Sequence, residues 1–312
     1  LANAATEQVA PEIATDGALN QSPAGLNTSR GAIVRTFGGN RTISDDFGFG
    51  GANDTTFDGS NGDLEVTGTV GFSGPSHFSG AALIISDGKL TPAGGVNWNL
   101  DGNGQGAFVE LDNGTLAIAG SSNSYSASGD VELRGSGMLL LNNADGSATG
   151  SSNVLILQSG ITLAGDGQTD STVDINGATI APGNSIGTLD MGTLDASGNE
   201  TSTLEFEIDS AGNSDTLNVA DLNLSGDGDT LNILGSADGS STYTLIDYSG
   251  SLIGNGFESI TGDGVPAGYE LDMGSGSASS VSLAPTVIPE PASLAMIGLG
   301  ALAMLPRRRR SA

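Results

Sequence analysis

Short runs in which apolar and polar residues alternate recur from Gly31 to Leu283. Most are three to five residues long, such as Phe108-Val109-Glu110-Leu111, and Gly, Asn, Asp or Ser bounds each of them. Apolar positions two apart are typical of half-buried β-strands, and the small polar residues between the runs are typical of turns. No stretch of this region shows a helical period over three turns. The pattern therefore predicts an all-β body.

Many short strands in a Gly-rich chain fit a sandwich, a barrel or a parallel β-solenoid. The solenoid is favoured because the strands are very short and because the long connections of Greek-key crossings are missing. An aromatic content of 4% agrees with it, since a solenoid stacks small aliphatic side chains in columns. Three strands and their turns make a coil of about twenty residues, so Asp63 to Leu283 would hold about ten or eleven coils. The N-terminal arm and the segment from Phe257 to Tyr269 are expected to cap the open ends.

The segment IAPGNSIGTL, residues 180–189, carries distinctive turn chemistry. Pro182 is expected to fix a turn, because its ring restricts φ. Gly183 and Gly187 permit positive φ, and Thr188 is expected to restart an alternating strand.

This segment and the strands after it resemble the repeats of autotransporter passenger domains. The resemblance is good over residues 177–260 and vaguer over 31–176. It implies a right-handed parallel β-helix on a bacterial surface. In place of the membrane barrel of that family, this sequence carries a tail of a different kind.

The tail, Val287 to Ala312, has three parts in a fixed order. These are the polar step Pro289-Glu290-Pro291, the uncharged apolar run from Ala292 to Leu305, and the basic cluster Arg307 to Arg310. The apolar run is shorter than the roughly 20 residues of a membrane-spanning helix. Lys and Arg clusters stay on the cytoplasmic side. We therefore expect a short apolar helix that inserts transiently, with residues 1–286 outside the cell.

This order resembles the PEP-CTERM sorting signal of Gram-negative and related bacteria. In that family a membrane-embedded exosortase recognises the signal, and the tail is thought to be removed. The resemblance implies export, the exosortase as partner, and association with exopolysaccharide or biofilm. A plain tail anchor or an amphipathic helix fits less well, because the run lacks a polar face. The predicted sorting residues are Pro289, Glu290, Pro291, Arg307, Arg308, Arg309 and Arg310.

Three segments follow from these patterns. Residues 1–30 are interpreted as the remnant of a secretory signal followed by a mobile arm, because Ala2-Asn3-Ala4 has the small-residue pattern of a signal-peptidase site. Residues 31–284 form the solenoid body, and residues 287–312 form the sorting and anchor segment.

The charge balance limits the possible partners. Asp and Glu number 36 against 9 Lys and Arg, which gives a formal net charge of −27. This charge argues against nucleic acid and anionic membrane surfaces as partners and favours solubility outside the cell. The chain contains no cysteine, which excludes disulfides and thiolate metal sites.

No residue is predicted to be catalytic. His77 is the single histidine and lies in a turn context without a partner for a metal site or triad. Lys89 and Arg134 stand isolated, without the acidic motif that a calcium-dependent lyase needs. Two carboxylates would suffice for a hydrolase, but the sequence singles out no pair.

Calcium is a weak candidate cofactor. Asp215, Asp227 and Asp229 lie in Gly-rich turns, where hard oxygen ligands on adjacent turns can share a divalent cation. The alternative carries more weight, namely that Asp favours turns and solubility.

Three functions remain open. The first is a non-enzymatic surface or matrix protein that acts in adhesion or scaffolding and associates with exopolysaccharide. The second is a polysaccharide lyase or hydrolase on the same fold, which a carboxylate pair converging on one groove would favour. The third is a self-assembling structural subunit of the surface.

Overall fold

The computed structural model describes residues 5–7, 33–36, 40–43, 47–50, 55–58, 63–67, 69–73, 82–99, 108–120, 123–125, 130–149, 154–226, 228–263, 265, 267–274 and 279–286. The regular secondary structure in these ranges is entirely β, as the alternating pattern predicts. The 28 strands, in chain order, are β1 (Ala5–Glu7), β2 (Ile33–Thr36), β3 (Arg41–Ile43), β4 (Phe47–Gly50), β5 (Thr55–Asp58), β6 (Leu64–Val66), β7 (Thr69–Ser73), β8 (Ala82–Ser86), β9 (Lys89–Pro92), β10 (Gly95–Asn99), β11 (Phe108–Asp112), β12 (Thr115–Ile118), β13 (Ser124–Tyr125), β14 (Val131–Gly135), β15 (Met138–Leu141), β16 (Val154–Gln158), β17 (Thr162–Gly165), β18 (Gln168–Asn176), β19 (Thr179–Pro182), β20 (Thr188–Asp195), β21 (Thr203–Ile208), β22 (Thr216–Leu224), β23 (Thr230–Gly235), β24 (Tyr243–Tyr248), β25 (Leu252–Gly254), β26 (Ser259–Gly262), β27 (Tyr269–Asp272) and β28 (Ser280–Pro285).

Each strand pairs with its counterpart one coil further along the chain. The first sheet has the order β1-β2-β5-β8-β11-β14-β16-β18-β20-β22-β24-β28-β27, with β25 also paired to β22. The second sheet has the order β3-β6-β9-β12-β15-β17-β19-β21-β23-β26, and the third β4-β7-β10-β13. Among the described strands, β28 alone pairs in antiparallel fashion, with β24 and β27. Long parallel sheets of this kind are consistent with the predicted β-solenoid.

The coils are fewer than predicted, and their length varies instead of staying near twenty residues. Among the described strands, the third sheet ends at β13, and the strands of later coils belong to two sheets rather than three. Hydrogen-bonded neighbours on adjacent coils are 18 residues apart at Asn176 and Gln158 and 30 apart at Ser251 and Asp221. After Asp63 the first sheet gains eight parallel strands, β8 to β24. The prediction of ten or eleven coils is therefore wrong, because strands of nine residues such as β18 and long turns take up the chain.

Aliphatic columns form the core. The inward positions of the second sheet stack in register from one coil to the next and are fully buried up to the last coil. This column consists of Leu64, Leu90, Leu116, Leu139, Leu163, Ile180, Leu204, Leu231 and Ile260. Ile260 ends the column and is 42% exposed. Stacking one aliphatic residue per coil removes apolar surface from water without needing aromatic residues.

Glycines close several turns where backbone crowds backbone. Gly135 has φ 101° and Gly165 has φ 113°. A Cβ at either position would collide with the carbonyl oxygen of the preceding coil, that of Leu111 or of Leu141. Only glycine combines this conformation with this close approach.

The 182–188 turn is predicted in part. Pro182 ends β19, Gly183 has φ 86°, and Thr188 begins β20 as expected. Gly187 is not among the residues with positive φ. It is needed for space instead, because a Cβ there would collide with the Asp166 carboxylate.

The described C-terminal end is closed by the hairpin of β27 and β28. β28 inserts between β24 and β27, and its Val281 and Leu283 are fully buried. Phe257 packs partly buried against the core, but the closing hairpin follows the segment from Phe257 to Tyr269 that was expected to form the cap and shares only Tyr269 with it. At the other end, Ala5–Glu7 extends the first sheet by pairing with β2. The rest of segment 1–30 and the predicted C-terminal helix lie outside the described residues.

Candidate functional site

A shallow groove of about 540 Å³ crosses the outer face of the second sheet. Its floor comes from β15, β17 and β19, where each outward residue stacks on its counterpart in the next coil. Met138, Thr162 and Thr179 form one row of this stack, and Leu140, Ala164 and Ala181 form the other. Strand alternation buries Leu139, Leu163 and Ile180 beneath them. The floor therefore combines an apolar strip with threonine hydroxyls.

The 182–187 turn forms one wall of the groove. The side-chain amide of Asn184 donates to Asn142 Oδ1 and to Asp166 Oδ2, each at 3.0 Å. The Gly187 N–H donates to Asp215 Oδ1 at 2.9 Å. These bonds tie the turn to coils on both sides, so the wall that carries Asn184 and Ser185 is held in place.

Carboxylates form the opposite wall. Glu205 and Glu207 are two apart on β21 and line the groove with Asp215. The Asn232 amide donates to Glu205 Oε2 at 2.6 Å and orients that carboxylate. This wall is acidic, and Glu207 is exposed to solvent.

Asp215 is the unusual acid of the groove. It is 2% exposed, and both of its oxygens accept backbone N–H groups, from Gly187 at 2.9 Å and Glu207 at 2.6 Å. Burial raises the pKa of Asp215, the two backbone donors oppose the rise, and the charges of Glu207 and Asp166 add to it; together they bring the pKa to about 6. The groove thus contains one carboxyl, Asp215, whose pKa is raised toward neutral pH by burial.

Asp229 lies apart from the groove lining, in the turn before β23. It is 2% exposed, and its Oδ1 accepts the Ser202 N–H at 3.3 Å. Its Oδ2 has no hydrogen-bond partner within the described part of the chain. Burial raises the pKa of Asp229, and the nearby charge of Glu258 adds to the rise. Asp227, the third predicted calcium ligand, lies outside the described residues.

Of the three predicted ligands, the structure describes Asp215 and Asp229 and places neither in a metal-binding group. In the ranges that the structure describes, no group of three or more His, Asp or Glu side chains is placed to hold a metal ion. Carboxylates elsewhere bind the backbone of the next coil: Asp63 Oδ1, just before β6, accepts the Lys89 N–H at 2.8 Å, and Asp221 Oδ1, on β22, accepts the Ser251 N–H at 2.7 Å. Such bonds satisfy donors that the ladders leave open between coils.

Arg134 is held by its own coil and its neighbour. It forms an ion pair with Glu132 at 2.6 Å and stacks over the Phe108 ring at 4.1 Å. The Gln158 amide donates to Glu132 at 2.8 Å and extends the contact to the next coil. Lys89 is exposed at the start of β9, and His77 lies outside the described residues.

A second polar cluster, around Asp238, joins the cap to the body. Asp238 accepts the N–H groups of Ser240 and Ser241 at 2.8 and 2.7 Å, and also the hydroxyl of Tyr269 at 3.2 Å. The Tyr243 hydroxyl accepts the Asp238 N–H at 2.8 Å and donates to Asp209 O at 3.0 Å. The Ser241 hydroxyl and these N–H donors hold the pKa of Asp238 well below its usual range. This cluster anchors β27 rather than forming a site.

Comparison with known families finds one match. Residues 287–310 match the profile of the PEP-CTERM protein-sorting motif, which confirms the predicted tail. This motif is consistent with an exosortase substrate and indicates an exported protein that is processed at the membrane. No curated protein matches the chain significantly. The likeness of 177–260 to autotransporter repeats stays a prediction.

The seven predicted sorting residues, Pro289 to Pro291 and Arg307 to Arg310, all fall within the matched range. They lie beyond Thr286, outside the described residues. Within the described ranges, no helix is long and apolar enough to cross a membrane.

Proposed function

We propose that this chain is a non-enzymatic surface or matrix protein, delivered by its sorting tail, whose solenoid binds exopolysaccharide and acts in adhesion or scaffolding. The observation that carries the proposal is the sorting motif at 287–310 on a body whose outer face repeats polar groups coil after coil. We also propose that the chain of the solenoid winds in a right-handed sense, because crossover connections between parallel strands of one sheet are almost always right-handed.

The repeated hydroxyls run along the second sheet. One outward column carries a hydroxyl in most coils, and Lys89 and Met138 are the exceptions from β9 onward. The hydroxyls belong to Thr115, Thr162, Thr179, Thr203, Thr230 and Ser259. Neighbouring strands are about 4.8 Å apart, so the column offers hydroxyls at a constant interval. A glycan chain also repeats its hydroxyls at a constant interval, so several weak hydrogen bonds can form together.

The charge of the groove narrows the glycan class. The Glu205 and Glu207 carboxylates repel uronate or sulfated chains, so the preferred ligand is a neutral or amino-bearing polysaccharide. The groove lining contains no aromatic residue among the described side chains. Binding of the glycan to a single coil is therefore weak, and affinity arises because a long glycan chain contacts several coils at once.

Retention of the processed protein on the exopolysaccharide of its host tests this proposal. We expect Thr162→Val with Thr179→Val to weaken retention several-fold, because two repeated hydroxyls are lost. Thr172→Val is the matched control, since Thr172 lies on the first sheet, away from the groove. Equal retention of all three proteins would contradict the proposal.

A hydrolase is the second candidate, and the carboxylates of the groove favour it. Glycoside hydrolysis uses one carboxyl kept protonated and one ionised, and Asp215 with a pKa of about 6 lies beside Glu207. Release of reducing ends from neutral polysaccharide, lost in Glu207→Gln but kept in Glu200→Gln, would establish this function. Absence of release by the wild-type protein would exclude it for the polysaccharides assayed.

A further inference from the structure

The folded body ends very close to the sorting motif. Thr286 is fixed by two hydrogen bonds to Gly268 O, from its N–H at 2.6 Å and from its hydroxyl at 3.0 Å. Pro289 is the third residue after Thr286, so the extended chain between them spans at most about 10 Å. The sorting motif therefore cannot be engaged without bringing the C-terminal end of the solenoid to within that distance.

The apolar run brings this end close to the membrane. The hydrocarbon core of a bilayer is about 30 Å thick and needs about 20 helical residues. The run from Ala292 to Leu305 is shorter than that, and the arginines after it stay on the cytoplasmic side. The residues just before the run, including Pro289 to Pro291, are therefore expected to lie where the non-cytoplasmic face of this membrane meets water. The folded body, which is joined to them by a short connection, is then held close to the same face.

Exposed apolar residues concentrate at the same end. Three large hydrophobic side chains are notably exposed among the described residues: Ile253 at 51%, Ile260 at 42% and Met138 at 36%. Ile253 lies on β25 and Ile260 on β26, the last parallel strands. In the described part of the second sheet, β26 pairs only with β23, so its other edge is open. Ile253 lies on β25, which pairs only with β22 among the described strands. Exposed apolar side chains on strands with an unpaired edge are typical of a docking surface.

The charge of this end identifies the kind of partner. The exposed acids are Glu258, Asp263, Glu270 and Asp272. The sequence from Tyr243 to Thr286 contains no Lys, Arg or His. An anionic lipid surface would repel such an end, which favours a neutral or basic protein surface.

We propose that the C-terminal end face, formed by Ile253, Glu258, Ile260, Asp263, Glu270 and Asp272, docks on the outward surface of the membrane-embedded sorting enzyme. The proposal rests on the sorting role of the tail. Recognition then has two parts: the motif enters the enzyme, and the end face packs against it. The short connection between them makes the two contacts simultaneous, so each raises the effective concentration of the other.

The rate of tail removal from the full chain, in a host that carries the sorting enzyme, tests this docking. Ile253→Ser with Ile260→Ser is expected to slow removal about fivefold or more, the effect of losing central apolar contacts. Ile156→Ser is the matched control, because Ile156 is an outward, half-buried apolar residue on β16 of the first sheet, outside both the end face and the groove. An unchanged rate in the double variant would overturn the proposal.

A spacer separates docking from motif recognition. Twelve Gly and Ser residues inserted between Thr286 and Val287 should also slow removal, because the two contacts are no longer held together. The same spacer between Ala144 and Asp145, in an exposed turn far from the end face, should leave the rate unchanged. Faster removal with the C-terminal spacer would show that the body obstructs the enzyme and would overturn the proposal.

Two further experiments test whether the end face binds anionic lipid or a second copy of the chain instead. Glu258→Lys with Glu270→Lys should slow removal if a protein surface matches the acids, whereas faster removal would identify anionic lipid as the partner. Sedimentation of the processed protein should show a monomer; an oligomer that Ile260→Ser dissolves would assign the end face to a second copy. If Pro289-Glu290-Pro291→Ala is processed like the wild type, the sorting role itself fails, independently of the docking.

Discussion

The solenoid wall and its C-terminal cap are stabilised in different ways. In the wall, parallel strands stack one aliphatic residue on the next, and a position such as Leu204 has like residues, Ile180 and Leu231, above and below it. In the cap, β28 runs antiparallel between β24 and β27. The rings of Tyr243 and Tyr269 lie 5.9 Å apart there, over the Asp238 cluster. Along the axis of the solenoid, the repeated aliphatic contacts are enough to stabilise each coil. The last coil has no coil beyond it and needs contacts that are found only in the cap.

The largest loss of stability is expected for a substitution in the buried column of the solenoid wall. Leu204→Ala is expected to lower the free energy of unfolding by about 2–5 kcal/mol, because it removes a fully buried side chain and leaves a cavity between rigid coils. Urea denaturation measures the change. Met138→Ala, at an exposed position, should cost far less, and equal losses in the two variants would contradict the columnar core.

The next effect tests the crowded turns of the wall. Gly165→Ala should lower stability by about 1–3 kcal/mol, since it adds positive-φ strain and a collision with the Leu141 carbonyl. Gly239→Ala is the control: it has φ 85° but no atom within 4 Å of the added Cβ. Thermal unfolding of both variants separates strain from crowding, and an equal loss would show that crowding contributes nothing.

A third substitution should affect the cap and leave the wall intact. Tyr243→Phe removes a buried hydroxyl that bonds the Asp238 N–H and the Asp209 carbonyl, at a cost of about 1–3 kcal/mol. Amide hydrogen exchange should accelerate in β27 and β28 while β18 to β22 stay protected. Uniform acceleration along the solenoid would mean that cap and wall unfold as one unit.

The fourth effect is a pH dependence from the groove. The pKa of Asp215 is raised to about 6 in the folded chain by burial, against about 3.9 in an unfolded chain. Its stabilising contribution is therefore complete below pH ~4 and is lost as the pH rises through ~6, by on the order of 1 kcal/mol. Asp215→Asn should flatten the stability profile between pH 4 and 7. An unchanged slope in this variant would show that Asp215 does not titrate in that range.

The smallest effect concerns calcium. Because carboxylates such as Asp63 and Asp221 bind backbone N–H groups of the next coil, we expect chelation with EDTA to leave the unfolding temperature unchanged. Calorimetry with and without added Ca²⁺ measures this. A clear rise in Tm with Ca²⁺, lost in Asp229→Asn, would establish Asp229 as a ligand.

The sequence predicts the kind of fold better than its dimensions. Alternation within runs such as Leu204 to Ile208 is a local property, and the structure confirms it as strand β21. Coil length is set by which runs pair across long turns, and one chain can pair them in several registers. That is why the prediction of a uniform coil of about twenty residues fails. The role of Gly187 depends on the neighbouring coil as well, because the space that it leaves is taken by the Asp166 carboxylate.

The groove was only partly visible in the sequence. Glu205 and Glu207 share one strand face, which the alternation of that strand already shows. Their convergence with Asp215 and with the Asn184 turn depends on a connection of 28 residues between Gly187 and Asp215, and local pattern does not fix that pairing. The Asp238 cluster was visible only as a turn, because Tyr269 reaches it from 31 residues away. The sorting tail is the opposite case, since its three parts are contiguous.

Intact-mass analysis of the protein from its host, with cell fractionation, tests most directly whether this body is delivered by its tail. We predict that the wild-type protein has lost the tail and leaves the inner membrane, whereas Pro289-Glu290-Pro291→Ala stays full-length and membrane-held. A full-length, membrane-held protein in both cases would contradict sorting and make the chain a tail-anchored surface protein.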